Sequence, residues 1–131
     1  MAKIYIDAAT RQHPHVSVGA VVIKNDDKVY EFTTLFEGID NNEAEWATLV
    51  YAIERCIEYN ITEAIIYTDS KIVVDSIEKR FVKNKRFKKY LDEYMKHETS
   101  FNLLFTSFVM RKNNKHADTL AKNGLYKHLN K

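Results

Sequence analysis

The sequence predicts an α/β fold, a mixed sheet of about five strands with helices on both sides. Three observations lead there. Three short strand-like segments follow one another at the start of the chain. A long amphipathic helix then separates them from a fourth strand, the order expected of a parallel crossover. Further helical stripes lie on both sides of a fifth strand. At 131 residues the expectation is a single domain over 1–131, long enough for a hydrophobic core without staples.

The elements follow in order. "KIYID" (Lys3 to Asp7) reads as a short strand ending in an acid. "SVGAVVIK" (Ser17 to Lys24) is a second strand, "NDD" (Asn25 to Asp27) a hairpin turn, and "KVYEFTTLF" (Lys28 to Phe36) a third strand, together an antiparallel meander. "NNEAEWATLVYAIERCIEY" (Asn41 to Tyr59) is a helix capped by Asn41 or Asn42, because Trp46, Leu49, Val50, Ile53 and Ile57 recur at helical spacing. "AIIYT" (Ala64 to Thr68) is the fourth strand. The segment after Ser70 reads two ways. Ile72, Val73 and Val74 are β-branched and favour a strand, yet Val73, Val74 and Ile77 fit one helical face. Phe87, Tyr90, Leu91, Tyr94 and Met95 form a clear helical stripe. "FNLLFTSFVM" (Phe101 to Met110) is the fifth strand, and a last helix begins near Asn114 with Ala117, Leu120, Ala121 and Gly124 on one face. The coarse order is β-β-β-α-β-α-α-β-α.

Composition narrows the function classes. No apolar run approaches the roughly 20 residues that span a bilayer, and the N-terminus lacks a signal peptide's apolar stretch. The lone Cys56 cannot form an internal disulfide and falls on an apolar helix face, so a packing role and a cytoplasmic monomer are expected. Twenty basic and 18 acidic residues leave a net charge of +2. From Lys79 to Lys89, "KRFVKNKRFKK" contains no acid. That block is either a one-sided positive field facing a polyanion or a solvated helix end.

Four acids are candidates for chemistry. Asp7 ends the first strand and Asp69 the fourth. If those strands are parallel neighbours, both carboxylates emerge at the carboxyl edge where open α/β sheets bind ligands. Glu45 and Asp118 each sit in the first turn of a helix, beside its apolar stripe. Each has an ordinary reading as a turn residue, an exposed helix acid or a partner of the helix dipole. Asp69 or Ser70 also suits an N-cap. Spacing alone does not bring the four together.

Three segments carry a family resemblance. "DNNEAEWATLVYAIE" is similar to an Asn-Asn-x-Ala-Glu-aromatic helix start. "IIYTDSKIVVDSI" is similar to a Thr-Asp-Ser strand end with its following helix. "VMRKNNKHADTLAKNGL" is similar to an Asn-x-x-Ala-Asp-x-Leu-Ala helix. In order and spacing the chain resembles the ribonuclease H family, bacterial type 1, from Ile4 to about Leu125. The resemblance implies that the segment after Ser70 is helical. It carries the family's four metal-binding catalytic acids onto Asp7, Glu45, Asp69 and Asp118. Crowded carboxylates need cations, and hard oxygen ligands suit Mg²⁺, with Mn²⁺ as substitute. In the family pattern two ions about 4 Å apart clamp the attacking and leaving oxygens of a phosphodiester. Asp7 would bridge them, Asp118 would help hold the ion that activates water, and Glu45 and Asp69 would hold the ion at the leaving 3′-oxygen. The implied activity is hydrolysis of the RNA strand of RNA–DNA hybrids, leaving 5′-phosphate and 3′-hydroxyl ends. Substrate contacts are implied at His13, Asn41, Asn42 and Ser70. Phosphate contacts are expected from Lys83, Lys85, Arg86, Lys88 and Lys89 in the basic block.

The first motif departs from the family pattern, which is roughly Asp-Gly-Ala-Ser-x-x-Asn-Pro-Gly-x-x-Gly-x-Gly. This chain reads "DAATRQHPHVSVGA". Asp7, Ala9 and Pro14 are kept; Ala8, His15, Val18 and Ala20 stand where glycines are usual, and Gly19 is one position off. His13 replaces the Asn that contacts RNA. The expectation is a glycine-poor loop from Ala8 to Ala20 with lowered hybrid activity. The two histidines are expected in a turn or on the surface. No histidine-bearing loop precedes the last helix, and neither a separate hybrid-binding domain nor a long basic handle is seen. Two function classes follow: the metal-dependent endonuclease, favoured by the four acids, and a catalytically weak or inactive module binding nucleic acid or a protein partner, favoured by the altered loop. A related 3′–5′ exonuclease fits less well, since such enzymes begin with Asp-x-Glu where this chain has Asp7-Ala8-Ala9.

Overall fold

In a computed structural model describing residues 1–13 and 15–130, the chain forms β1 (Ala2–Gln12), β2 (His15–Asn25), β3 (Lys28–Glu37), α1 (Asn41–Glu58), β4 (Glu63–Thr68), α2 (Lys71–Lys79), α3 (Lys88–Glu98), β5 (Leu103–Phe108) and α4 (Lys115–Leu129). Short 3₁₀ turns, Lys85–Phe87 and Arg111–Asn113, lead into α3 and α4. The five strands lie in the order β3-β2-β1-β4-β5. The meander β1-β2-β3 is antiparallel, and β1, β4 and β5 run parallel.

Alternation along β1 sorts the two faces of the sheet. Ala2, Ile4 and Ile6, with Val21 and Ile23 opposite them on β2, face the main core. There they meet Trp46, Leu49, Ile53 and Cys56 of α1, Val73 and Ile77 of α2, and Leu91 and Tyr94 of α3. On the other face α4 packs across β2, close enough that a Cβ on Gly124 would come within 2.9 Å of Val18 Cγ1. Burial pushes the Cys56 thiol up to about 12, which makes it an inert packing group. Among the described residues no helix is long and apolar enough to cross a membrane.

The structure corrects several expectations. The stretch from Ala8 to Ala20 is not a loop: β1 continues to Gln12 and pairs with β2 through Ala8↔Gly19, Ala9↔Val18 and Thr10↔Ser17. A paired backbone has no need of the missing glycines. Pro14, at the tip of this hairpin in sequence, lies outside the described residues. The cap of α1 is Asp40, not Asn41 or Asn42, with Oδ1 accepting from Glu43 N at 2.9 Å. The segment after Ser70 is helical despite its β-branched residues. Ser70 Oγ accepts from Val73 N at 3.4 Å, and burial of Val73, Val74 and Ile77 outweighs local propensity. β5 is shorter than expected at both ends.

At Gly19 α1 comes too close to the sheet to leave room for a side chain. A Cβ there would overlap the Thr48 hydroxyl and reach within 3.0 Å of Phe36 Cε2. Thr48 cannot turn away freely, because it is buried and its Oγ1 donates to Ala44 O at 2.7 Å. Gly19→Ala is therefore expected to lower unfolding free energy by about 1–3 kcal/mol in urea titrations. Adding Thr48→Ala should recover part of that loss. Full stability in the single variant would mean that α1 does not rest on β2 at this point.

Candidate active site

β1 and β4 position the first two acids. Their parallel register pairs Tyr5 with Tyr67. β4 stops at Thr68 while β1 runs on, so two steps further the same register brings Asp7 alongside Asp69. Asp69 is held between two anchored neighbours. Thr68 O accepts from Val109 N at 2.9 Å, and Ser70 N donates to Thr68 Oγ1 at 3.1 Å. Beside Asp7, Ala8 N donates to Oδ1 at 2.9 Å, and the buried Asn114 donates through Nδ2 to Ile6 O at 2.8 Å. That last bond ties the start of α4 to β1 one residue before the acid. Glu45 projects from the first turns of α1, whose approach is fixed by Asp40 and Gly19.

Asp7, Glu45 and Asp69 each present an oxygen, and these atoms all lie within 4.8 Å of one another. Asp118 stands outside that trio but lines the same cavity of about 420 Å³. Its Oδ2 is 3.0 Å from Lys122 Nζ. Asp7 is only 5% exposed and Glu45 only 6%. Burial, then the nearby Asp69, pushes the Asp7 carboxyl up to about 7. Burial first, then Asp7 and Asp69, holds Glu45 well above the usual carboxylate range. Burial raises Asp69 too, against opposition from the Arg111 charge and the Asn114 side chain. Glu45 Oε2 and Asp69 Oδ2 are buried with no hydrogen-bond partner. Crowded, desolvated carboxylates with unpartnered oxygens fit a hard divalent cation.

The other expected residues divide. Asn41, Asn42 and Ser70 line the cavity. Asn41 Oδ1 accepts from Thr10 Oγ1 at 3.0 Å, and Ser70 also caps α2. His13 lies in the β1–β2 turn, exposed, and is not among the cavity-lining residues. Three members of the basic block already have acidic partners. Arg86 pairs with Asp40 at 2.7 Å and Glu43 at 3.6 Å, Lys88 with Asp92 at 2.9 Å, and Lys89 with Glu43 at 3.6 Å. Glu43 also accepts from Tyr90 OH at 2.6 Å, so this network docks α3 against the start of α1. Lys83 and Lys85 are exposed, and neither forms an ion pair among the described residues.

Sequence reasoning missed Thr10, Asp40, Arg111, Asn114 and Lys122. Asn114 was in view as the first residue of the Asn-x-x-Ala-Asp segment. Lys122 is four residues from Asp118, a spacing that pairs side chains on a helix. Arg111 had no such signal, because its direction depends on the 3₁₀ turn ahead of α4.

Known proteins share this architecture. Residues 6–124 match the family described as reverse transcriptase-like. Over 129 residues the chain is 37% identical to EbsB of Enterococcus faecalis (strain ATCC 700802 / V583), a protein named only provisionally as a hydrolase; the match covers 97% of this chain and 96% of that one. RNase H1 of Halobacterium salinarum NRC-1 has a TM-score of 0.88 at 23% identity, over 96% of this chain and 98% of that one. The N-terminal RNase H domain of rv2228c from Mycobacterium tuberculosis, solved fused to maltose-binding protein, gives 0.84 at 25% identity, covering 93% of this chain and 96% of that one. LC11-RNase H1, solved in complex with an RNA/DNA hybrid, gives 0.88 at 22% identity, covering 98% of this chain and 99% of that one.

The raised Asp7 carboxyl links stability to pH. Its folded value of about 7 lies above its ordinary 3.8, so between those values the folded, metal-free chain binds more protons than the unfolded chain. The associated stability is complete below about pH 4 and lost as pH rises through about 7. In EDTA the Tm should fall between about pH 5 and pH 8, and Asp7→Asn should flatten the fall. Mg²⁺ or Mn²⁺ added at about pH 8 should recover it. A Tm that is flat or rising across this window would mean that the cluster ionises without strain.

Proposed function

The chain belongs to the reverse transcriptase-like family and carries the ribonuclease H fold, and from that premise we propose that it is a metal-dependent endonuclease hydrolysing the RNA strand of RNA–DNA hybrids, with 5′-phosphate and 3′-hydroxyl products. The observation that carries this reading is the trio of buried Asp7 and Glu45 with half-buried Asp69, with unpartnered oxygens on Glu45 and Asp69. An all-oxygen donor set of this charge suits Mg²⁺, with Mn²⁺ as substitute. Divalent cations bound there would supply Lewis-acid activation of water and neutralise charge on the leaving 3′-oxygen.

The chain's own residues divide the remaining work. Asp7, held by Ala8 N and by the Asn114 bond to Ile6, would be a ligand to the bound cations. Glu45 and Asp69 would hold the cation that supports the leaving group, and Asp118 would help hold the one that activates water. Arg111 faces Asp69 across the cavity and limits the negative charge that a phosphodiester meets on entry. Thr10, Asn41, Asn42 and Ser70 form a polar rim of hydroxyls and carboxamides. Such groups both donate and accept, which suits recognition of the 2′-hydroxyls that distinguish RNA from DNA. That an RNase H1 of this fold was solved with an RNA/DNA hybrid supports the substrate class. With α3 docked on the start of α1 through Arg86 and Lys89, and Lys88 paired with Asp92 within α3, the free phosphate contacts fall to Lys83 and Lys85.

The chemistry is tested by cleavage of labelled hybrid in Mg²⁺ and in Mn²⁺, beside duplex RNA and duplex DNA. Asp69→Asn should slow RNA-strand cleavage at least a hundredfold, about 2.7 kcal/mol of activation free energy, with the fold intact by circular dichroism. Undiminished cleavage in that variant would return Asp69 to a structural role. A folded parent that binds hybrid but never cuts it would favour the inactive binding module.

Binding gives a separate check. Replacing Lys83 and Lys85 by Gln should flatten the salt dependence of log affinity by about 1.4–1.8, two phosphates at roughly 0.7–0.9 each. Arg86→Gln should instead lower Tm and leave the slope nearly unchanged. The reverse pattern would restore Arg86 to the substrate surface and remove the two lysines.

A further inference from the structure

The cavity carries cations of its own. Lys122 Nζ lies 3.0 Å from Asp118 Oδ2, one turn further along α4, and both residues line the cavity. Asp118 is thereby set apart from the other acids twice over. It lies outside the trio whose oxygens converge within 4.8 Å, and its carboxylate is not among those with unpartnered buried oxygens. The unpartnered carboxylate oxygens belong to Glu45 and Asp69, which complete that trio with Asp7. The four carboxylates are therefore not equivalent toward cations. Three are crowded together, two of them with unpartnered oxygens, and the fourth is already paired.

Resting on the metal-dependent reading above, we propose that Lys122 is a built-in competitor for the second divalent ion. Its ammonium occupies the Asp118 carboxylate, so the chain takes one ion firmly at Asp7, Glu45 and Asp69. A second ion, shared between Asp7 and Asp118, binds weakly and only by displacing Lys122. Two effects act together. The second ion must break the Lys122–Asp118 contact, and until the ammonium swings away it meets a like charge at close range. The Lys122 side chain is 67% exposed, so it can leave for solvent and acts as a displaceable cation, not a fixed block. An exposed pair of this kind is weak by itself. The expected effect is correspondingly moderate and confined to the second ion. It makes occupancy of that ion, and not of the first, the quantity that responds to divalent concentration.

The test counts ions without substrate. Mn²⁺ binding is followed by calorimetry and by the free-ion resonance signal, near neutral pH and at fixed salt, for the parent, Lys122→Ala, Lys122→Gln and Lys122→Arg. The parent should show one firm site and a second at least about tenfold weaker or below detection. Lys122→Ala should tighten only the second, by about fivefold or more. Lys122→Gln, which keeps the length of the side chain and removes its charge, should do the same and stands in if Lys122→Ala folds poorly. Lys122→Arg should return the parent pattern. Two equal sites in the parent, or neutral variants whose second site is unchanged, would overturn the competition and leave the endonuclease reading standing. A folded parent that takes up no Mn²⁺ would overturn that reading itself.

Discussion

The parallel pairing of β1 with β4 is the constraint on which the site depends. It sets the register in which Asp7 meets Asp69, and it ends where those acids begin. Up to Tyr5 and Tyr67 the two strands satisfy each other's backbone, and the tyrosine rings stack at 5.0 Å between centroids. Beyond that point β4 turns into α2 and leaves one edge of β1 open. A shift of one residue in this register would send Asp7 or Asp69 to the opposite face of the sheet. The remaining devices around the site act on this frame. Asn114 ties α4 to β1, Ser70 starts α2, and Asp40 starts α1.

Much of this was legible from the residues. The sheet, the long helix and the last helix showed through periodicity, because Trp46, Leu49 and Ile53, like Ala117 and Ala121, repeat at helical spacing and are buried. The acids at the strand ends were visible individually, but the resemblance was needed to group them, since Asp7 and Asp118 lie far apart in the chain. What stayed hidden depends on three-dimensional partners. Strand propensity at Ile72 to Val74 lost to burial on α2. The stretch after Asp7 resembles a loop only beside glycine-rich relatives; it is strand, and β2 is buried on both faces from Val16 to Ile23.

Charge was the least legible property. Read as a string, Lys79 to Lys89 is an uninterrupted positive block. In space it meets Asp40, Glu43, Asp92 and Glu98, supplied by α3 and by the start of α1. Arg80, Arg86 and Lys89 tie neighbouring elements together, Lys88 pairs within α3, and Lys79, Lys83 and Lys85 form no ion pair among the described residues. A local charge count overstates a surface field whenever the neutralising acids come from a distant part of the chain.

Gly19 and Gly124 have a joint consequence. Gly19 lets α1 down onto one face of β2, and Gly124 lets α4 down onto the other face against Val18, the next residue along the strand. One strand is thus gripped from both sides at a single point. Glu45 rides on one jaw of that grip and Asp118 on the other, so the grip works as a caliper that sets the gap between them. An added methyl group at either glycine opens the caliper while the rest of the sheet can stay paired. Misspacing of the acids would then precede loss of the fold, and a chain that still looks native by its secondary structure could already hold its carboxylates too far apart to share one cavity.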